Sequence, residues 1–331
     1  MSSGRIGAVT MRVLGLEGAM RRMNKDFLTR REFTRLCAAL GASFPAGAAM
    51  TLAGGPAFAA DARTVKFRDG ALVPALGQGS WHLAQGRHPE AAEEEALRTG
   101  LSLGMTLIDT AEVYSGGRSE ELIGRVIAGR RDRVFLVSKV PPYRAAADGI
   151  ARACEASLSR LKTDHLDLYL LHWPSRGLDV AAVVAAFEAL RAGGKIRAWG
   201  VSNFGVADME ALFHVPNGDR CATNQVLYNL GNRSIEKDLL PWCAAHAVPI
   251  MAYTPLGDGL VRDPVLAKIG AAHGCSAAAV ALAWTMRNGN VIAIPESGSP
   301  AHVKENAVAL SLALTPEDLR TLDAAYPCGG C

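Results

Sequence analysis

The chain has 331 residues, 49% of them hydrophobic and 20% charged, a balance that excludes a mostly disordered polymer. Its formal charge of +3 is unevenly placed, because residues 1–60 hold eight basic and three acidic residues while the remainder nets −2. The basicity belongs to a leader. A body without a basic stripe is not expected to bind nucleic acid.

From Met23 the chain runs Met-Asn-Lys-Asp-Phe-Leu-Thr-Arg-Arg-Glu-Phe-Thr-Arg, and after Arg35 no charge appears until Asp61. The uncharged stretch is rich in Ala and Gly and ends Ala57-Phe58-Ala59, a small-x-small cleavage pattern. Thr29-Arg30-Arg31-Glu32-Phe33 resembles the twin-arginine signal, which sends folded proteins out of the bacterial cytoplasm. Residues 1–59 therefore read as a leader cleaved near Ala59, with residues 1–22 as an over-extended start. The expected destination is the periplasm, reached through the twin-arginine export machinery. The glycines and prolines of the stretch, Pro45 and Pro56 among them, argue against a stable membrane anchor. The body, 60–331, is 272 residues long. That is the size of one (β/α)₈ barrel, and a monomer is expected.

In chain order, Thr64–Phe67 and Leu72–Pro74 flank Arg68-Asp69-Gly70 and predict an N-terminal β-hairpin. Strand-length apolar runs follow at Leu76–Gly79, Thr106–Ile108, Val134–Ser138, Leu166–Leu171, Ile196–Val201, Thr223–Val226, Val248–Ala252 and Val291–Ile294. Between them the spacing is helical. Ala92, Ala96, Leu97, Leu101 and Leu103 suit one buried face, as do Leu122, Ile123, Val126 and Ile127, and Val183, Val184, Phe187 and Leu190. Eight β-then-α units predict an α/β fold with a parallel sheet closed into a TIM barrel. The alternative is an open doubly wound sheet, but Gly77-Gln78-Gly79-Ser80-Trp81-His82 lacks the third glycine of its phosphate turn.

Active sites of such barrels lie at the carboxyl ends of the strands. The residues ending successive runs here are Asp109, Lys139, His172, Ser202-Asn203, Gln225, Tyr253 and Pro295-Glu296. A lone strand-end Asp is usually a cap, and a lone His usually a satisfied core group. An acid, an ammonium and an imidazole on three successive strand ends should face one mouth.

Longer motifs sharpen this reading. Leu107-Ile108-Asp109-Thr110-Ala111-Glu112-Val113-Tyr114 with Ser119-Glu120-Glu121-Leu122-Ile123-Gly124 resembles the first signature of the aldo-keto reductases. Ser157–Asp164 through Asp167-Leu168-Tyr169-Leu170-Leu171-His172-Trp173-Pro174 resembles the second. Gly200-Val201-Ser202-Asn203-Phe204 and Ala293-Ile294-Pro295-Glu296-Ser297-Gly298 resemble two further segments, and the likeness runs from Val65 to Tyr326.

The resemblance implies a catalytic tetrad of Asp109, Tyr114, Lys139 and His172. It implies an NAD(P)H-dependent oxidoreductase that reduces aldehydes and ketones to alcohols, with Tyr114 as general acid. A free Tyr, with a pKa of about 10, is a weak acid at neutral pH. An ammonium at Lys139 is expected to lower that value, with Asp109 holding the lysine. His172 would orient the carbonyl oxygen and share the proton relay. By the same resemblance Ser202, Asn203 and Gln225 hold the nicotinamide carboxamide and Tyr253 stacks on its ring. Thr254, Leu256 and Gly257 belong to the loop under the pyrophosphate, and Ser297, His302, Glu305 and Asn306 to the adenosine side.

Two positions depart from the family pattern: Asp258 replaces a small hydroxyl residue and Glu296 a lysine. A carboxylate at Glu296 repels a 2′-phosphate and can accept from a ribose 2′-hydroxyl. Weak NADPH selectivity is therefore expected. Trp81, His82 and Trp173 are expected to line the substrate mouth.

No metal site is expected, since no second Cys-x-x-Cys accompanies Cys328-Gly-Gly-Cys331. That pair reads either as a small tail disulfide or as a tail without function. Two other functions stay open: a Schiff-base lyase using Lys139, and a cofactor-binding sensor or partner subunit of the same fold.

Overall fold

The computed structural model describes residues 63–328; the leader, its expected cleavage site at Ala59 and Cys331 lie outside these residues. The described residues begin with the expected hairpin. Strands β1 (Thr64–Lys66) and β2 (Leu72–Pro74) pair antiparallel, Val65 opposite Val73. Phe67, at the hairpin turn, is buried and meets Phe135 edge-on at 5.8 Å.

Seven parallel strands follow: β3 (Leu107–Asp109), β4 (Phe135–Val140), β5 (Leu166–Leu171), β6 (Ile196–Ser202), β7 (Asn224–Leu227), β8 (Ile250–Tyr253) and β9 (Val291–Ala293). They hydrogen-bond in sequence order. The α-helices among the described residues are α1 (Glu90–Ser102), α2 (Arg118–Ile127), α3 (Ala147–Leu161), α4 (Val180–Ala192), α5 (Val206–His214), α6 (Leu239–Ala245), α7 (Pro264–Ala272), α8 (Ala277–Thr285), α9 (Pro300–Ala307) and α10 (Pro316–Ala325), with short 3-10 turns between elements, one of them starting at Tyr114. Strand β5 is buried at every position, as a parallel strand covered on both faces must be. Because β4 ends two residues and β6 one residue later than expected, Lys139 and Ser202 belong to strands rather than to the loops after them.

The expected strand at Leu76–Gly79 forms only single bridges. Leu76 bridges Ala293 and Gly79 bridges Glu296 on one side, and Gln78 bridges Ile108 on the other. These contacts carry the chain between β9 and β3, so the segment closes the barrel as its eighth stave. It is irregular because it passes very near its neighbours: a Cβ at Gly79 would lie 2.9 Å from the Ile294 carbonyl.

The expected helical faces hold with one correction. Ala96 and Leu97 are buried, but Leu103 is exposed, since α1 stops at Ser102 and Leu103 only caps it. Glu93, on the same helix, is buried instead, and its Oε2 accepts the Ala84 N–H at 2.8 Å. Among the described residues no single helix is long and apolar enough to cross a membrane. Helices α7 and α8 meet that criterion only jointly across a 92° bend, and α8 is buried on every side. Cys154, Cys221 and Cys243 are free and buried, which pushes each thiol up to about 12; Cys328 is disulfide-bonded.

Gln78 fastens the closing segment to α1. Its Nε2 donates to the carbonyls of Leu97 (3.2 Å) and Met105 (3.0 Å), both in the interior. Gln78→Ala removes two buried hydrogen bonds, one to the Met105 carbonyl outside the helix and one to the Leu97 carbonyl within it, and a loss of about 1–3 kcal/mol is expected. Thermal melting of the variant should fall by about 3–10 °C. An unchanged melting temperature would show that the seam does not depend on this amide.

Candidate active site

Parallel strands project their last residues toward one end of the barrel, and the chemistry collects there. A cavity of about 550 Å³ opens at this mouth. Its floor is formed by Asp109 at the end of β3, His172 just after β5, and Tyr114 on the loop after β3. Lys139, on β4, lies behind them and is wholly buried.

The Lys139 ammonium has three N–H groups and three acceptors: Asp109 Oδ2 at 2.7 Å, the Thr110 carbonyl at 2.9 Å and the Tyr114 hydroxyl at 3.1 Å. Burial alone would push the lysine down. Asp109 and Tyr114 outweigh that and hold its pKa above the ordinary value, so the amine is protonated and is not a Schiff-base nucleophile. Asp109 Oδ1 accepts from Gln225 Nε2 at 2.8 Å, which fixes the carboxylate from its other side.

Tyr114 corrects an expectation. Lys139 does pull its pKa down, but burial is the larger influence and raises it above 10. The phenol is therefore fully protonated at neutral pH, a stored proton with an ammonium beneath it. His172 is pushed down to about 2, first by burial and then by the Lys139 charge. A neutral imidazole orients a carbonyl oxygen by hydrogen bonding and is no proton source, which replaces the expected share in the relay. Its ring lies flat on Trp173 at 3.6 Å, and its buried Nδ1 has no hydrogen-bond partner.

The residues expected to hold the nicotinamide also converge. Ser202, Asn203, Gln225, Tyr253, Thr254, Leu256 and Gly257 all line the cavity. Gln225 Nε2 is occupied by Asp109 and by Met251 Sδ, so its Oε1 is the atom that can receive a carboxamide N–H. Tyr253 donates its hydroxyl to Asn203 Oδ1 at 2.9 Å. Asn203 and Thr254 have φ of 62° and 50°. The left-handed region is unusual for a β-branched residue and marks a built loop. Asn229 holds this loop by donating to the Thr254 carbonyl at 2.9 Å. An amide, a hydroxyl and an aromatic ring around a polar slot fit a nicotinamide.

Other expected residues fall differently. Trp81, His82 and Trp173 line the mouth as expected. Ser297, His302, Glu305 and Asn306 are outside the cavity lining. Ser297 is engaged in a local turn with Ser299, His302 and Glu305 are exposed on α9, and Asn306 is buried. Glu296 lines the cavity, and both its carboxylate oxygens are engaged by His82. Sequence reasoning missed the Thr110 carbonyl, because main-chain acceptors carry no residue signature. It also missed Val113, which only its proximity to Tyr114 could have suggested. Among the described residues no cluster of three His, Cys, Asp or Glu side chains could hold a metal ion.

Protonating a carbonyl oxygen is half of a reduction, and the other half, a hydride, comes from a cofactor. Barrel and mouth together define a cofactor-dependent carbonyl oxidoreductase. Residues 75–327 match the aldo/keto reductase family, and the chain belongs to it. It is 48% identical over 271 residues to methylglyoxal reductase YeaE of Escherichia coli, covering 80% of this chain and 95% of that protein. Glyoxal reductase of Bacillus subtilis is 34% identical over 265 residues, covering 79% and 92%. Among solved structures, an aldo/keto reductase from Klebsiella pneumoniae in complex with NADP and acetate shares 47% identity with a TM-score of 0.78, covering 82% of this chain and 97% of that one. A second structure from that organism holds NADPH, with the same identity, coverage and TM-score.

His172 also makes stability pH-dependent. Its folded pKa of about 2 lies below the unfolded value of about 6.5. Its contribution is therefore complete above about pH 6.5 and is lost as pH falls toward 2. Between pH 7 and 4.5, His172→Gln should lose about 2 kcal/mol less unfolding free energy than the wild type. Parallel stability curves from denaturant titrations would contradict the neutral buried imidazole.

Proposed function

We propose that this enzyme reduces small reactive aldehydes and 2-oxoaldehydes of the methylglyoxal class, with NADPH as hydride donor. The observation that carries the reading is the Lys139 ammonium held at once by Asp109, Thr110 and the Tyr114 hydroxyl. The relatives named above, one reducing methylglyoxal and one glyoxal, support the substrate class. The Klebsiella complexes support the cofactor.

When bound, the nicotinamide supplies the hydride. The chain's own residues do the rest. His172 and Tyr114 receive the carbonyl oxygen, and the hydrogen bond from Tyr114 grows stronger as negative charge develops there. Tyr114 then releases its proton to the oxygen, and Lys139 stabilises the phenolate left behind. Asp109 keeps Lys139 charged and in register. Fully engaged and protonated, Lys139 offers no support to the lyase alternative, and the assembled acid favours turnover over a purely sensing role.

Tyr114→Phe removes only the proton donor. Turnover of methylglyoxal, followed by nicotinamide absorbance, should fall by about 10²–10⁴-fold, while NADPH binding measured by fluorescence persists. Wild-type-like turnover would remove Tyr114 from the mechanism.

We infer further that residues 1–59 direct the enzyme to the periplasm, on the strength of the Arg30-Arg31 pair and the Ala57-Phe58-Ala59 site. Substituting both arginines by lysine should hold the protein in the cytoplasm. A variant still found outside the inner membrane on fractionation would dismiss the signal.

A further inference from the structure

Behind the catalytic group lies a second set of charges, Glu112, Glu120 and Arg160, none of which lines the cavity. They surround the turn that carries the acid. Tyr114 stands five residues past the end of β3, and the next three residues, Ser115, Gly116 and Gly117, have φ of 53°, 64° and 92°. No strand ladder holds such a turn. Arg160, near the end of α3, braces it from outside. Its Nε donates to Glu120 Oε2 at 2.6 Å, and its Nη2 lies 3.9 Å from Glu112 Oε2. Its stem runs so close to the turn that a Cβ at Gly117 would sit 2.7 Å from Arg160 Cδ. Glu112 precedes Tyr114 in the chain, and Gly117 and Glu120 follow it.

We propose that Arg160 is a positioning residue for the reduction, which grips the chain on both sides of Tyr114 so that the phenol stays in register with Lys139 and the carbonyl oxygen. The proposal rests on the reading of Tyr114 as the acid and adds what holds that acid in place.

The contacts run to both partners of the proton transfer. Glu120 is wholly buried, and its other oxygen, Oε1, accepts the Ser138 hydroxyl at 2.6 Å. Ser138 precedes Lys139 on β4, so one carboxylate joins the helix after the Tyr114 turn to the strand that carries the ammonium. The Glu112 side chain is 7% exposed, and Arg144 Nε reaches its Oε1 at 3.2 Å. Burial pushes the Glu112 carboxyl up, while Arg144 and Arg160 pull against that. Buried ion pairs return little net stability once desolvation is counted. What a guanidinium adds is geometry, because its donors lie in one rigid plane. The helix bearing it has little room to shift, since a Cβ at Gly124 of α2 would lie 2.8 Å from the Arg160 carbonyl. Of the three contacts made by the Lys139 ammonium, the one to Tyr114 is the longest at 3.1 Å, and its partner sits on this turn.

The test is the single-turnover rate of NADPH oxidation by methylglyoxal in full-length enzyme, with NADPH affinity measured by fluorescence. Arg160→Lys keeps a charge for Glu120 but loses the planar fork between Glu120 and Glu112, and should slow the rate about 10- to 100-fold. Glu112→Gln, which leaves the buried Glu120–Arg160 pair intact, should act the same way by less. NADPH affinity should stay within about 2-fold in both, since only the acid is displaced. In a Tyr114→Phe background either substitution should change the residual rate by less than about 2-fold, because the alignment it protects is no longer used. Should the lysine variant fail to fold, Glu112→Gln supplies the same comparison. An equal loss in both backgrounds overturns the proposal and leaves the cluster a structural one. So does a wild-type rate in both single variants, or a loss confined to NADPH affinity. Failure of the acid reading itself would show separately, as Tyr114→Phe reacting at the wild-type rate.

Discussion

Lys139 carries a positive charge in the interior, where no water reaches it, and the catalytic arrangement follows from the need to satisfy that charge. Burying an ammonium costs several kcal/mol unless every N–H finds an acceptor. Here the acceptors are a carboxylate, a backbone carbonyl and a phenol, and each of the three groups is thereby fixed in place. Tyr114 sits on a loop, but its hydroxyl is held by the same ammonium that will stabilise its conjugate base. The carboxylate is anchored again by Gln225, which links the proton relay to the cofactor slot.

Burial at the mouth assigns protonation states without any metal ligand or unusual residue type. It raises the phenol and lowers the imidazole, so the two neighbours, ring centroids 5.7 Å apart, both stay neutral near pH 7. One is a neutral acid and the other a neutral hydrogen-bonding group. Lys139 works in both directions at once, easing the loss of the Tyr114 proton and discouraging protonation of His172.

The seam is the second organising feature. A barrel of seven regular strands needs an eighth stave, and residues 76–79 supply it through single bridges and the Gln78 amide. The close approach at Gly79 brings β9 and the segment after the stave together, and the Glu296–His82 clasp forms just above that point. Closure of the fold and the chemistry of the mouth therefore share one junction.

The strand-helix alternation, the hairpin and the convergence of Asp109, Tyr114, Lys139 and His172 at one end of the barrel were legible in the sequence. Local hydrophobic period determines the elements, and a parallel barrel must deliver its strand ends to one face. The family motifs likewise pointed to Ser202, Asn203, Gln225 and Tyr253, which line the same cavity. What the linear chain could not determine was set by contacts between distant segments. Glu296 and His82 are 214 residues apart, so their clasp depends on the seam and not on either local pattern. Whether Lys139 or burial governs Tyr114, and whether His172 shares a proton, is a balance of desolvation against charge. That balance exists only once the groups are enclosed together. The exposure of Leu103 and the burial of Glu93 likewise turn on where α1 stops and which loop packs over it, facts that belong to the tertiary structure alone.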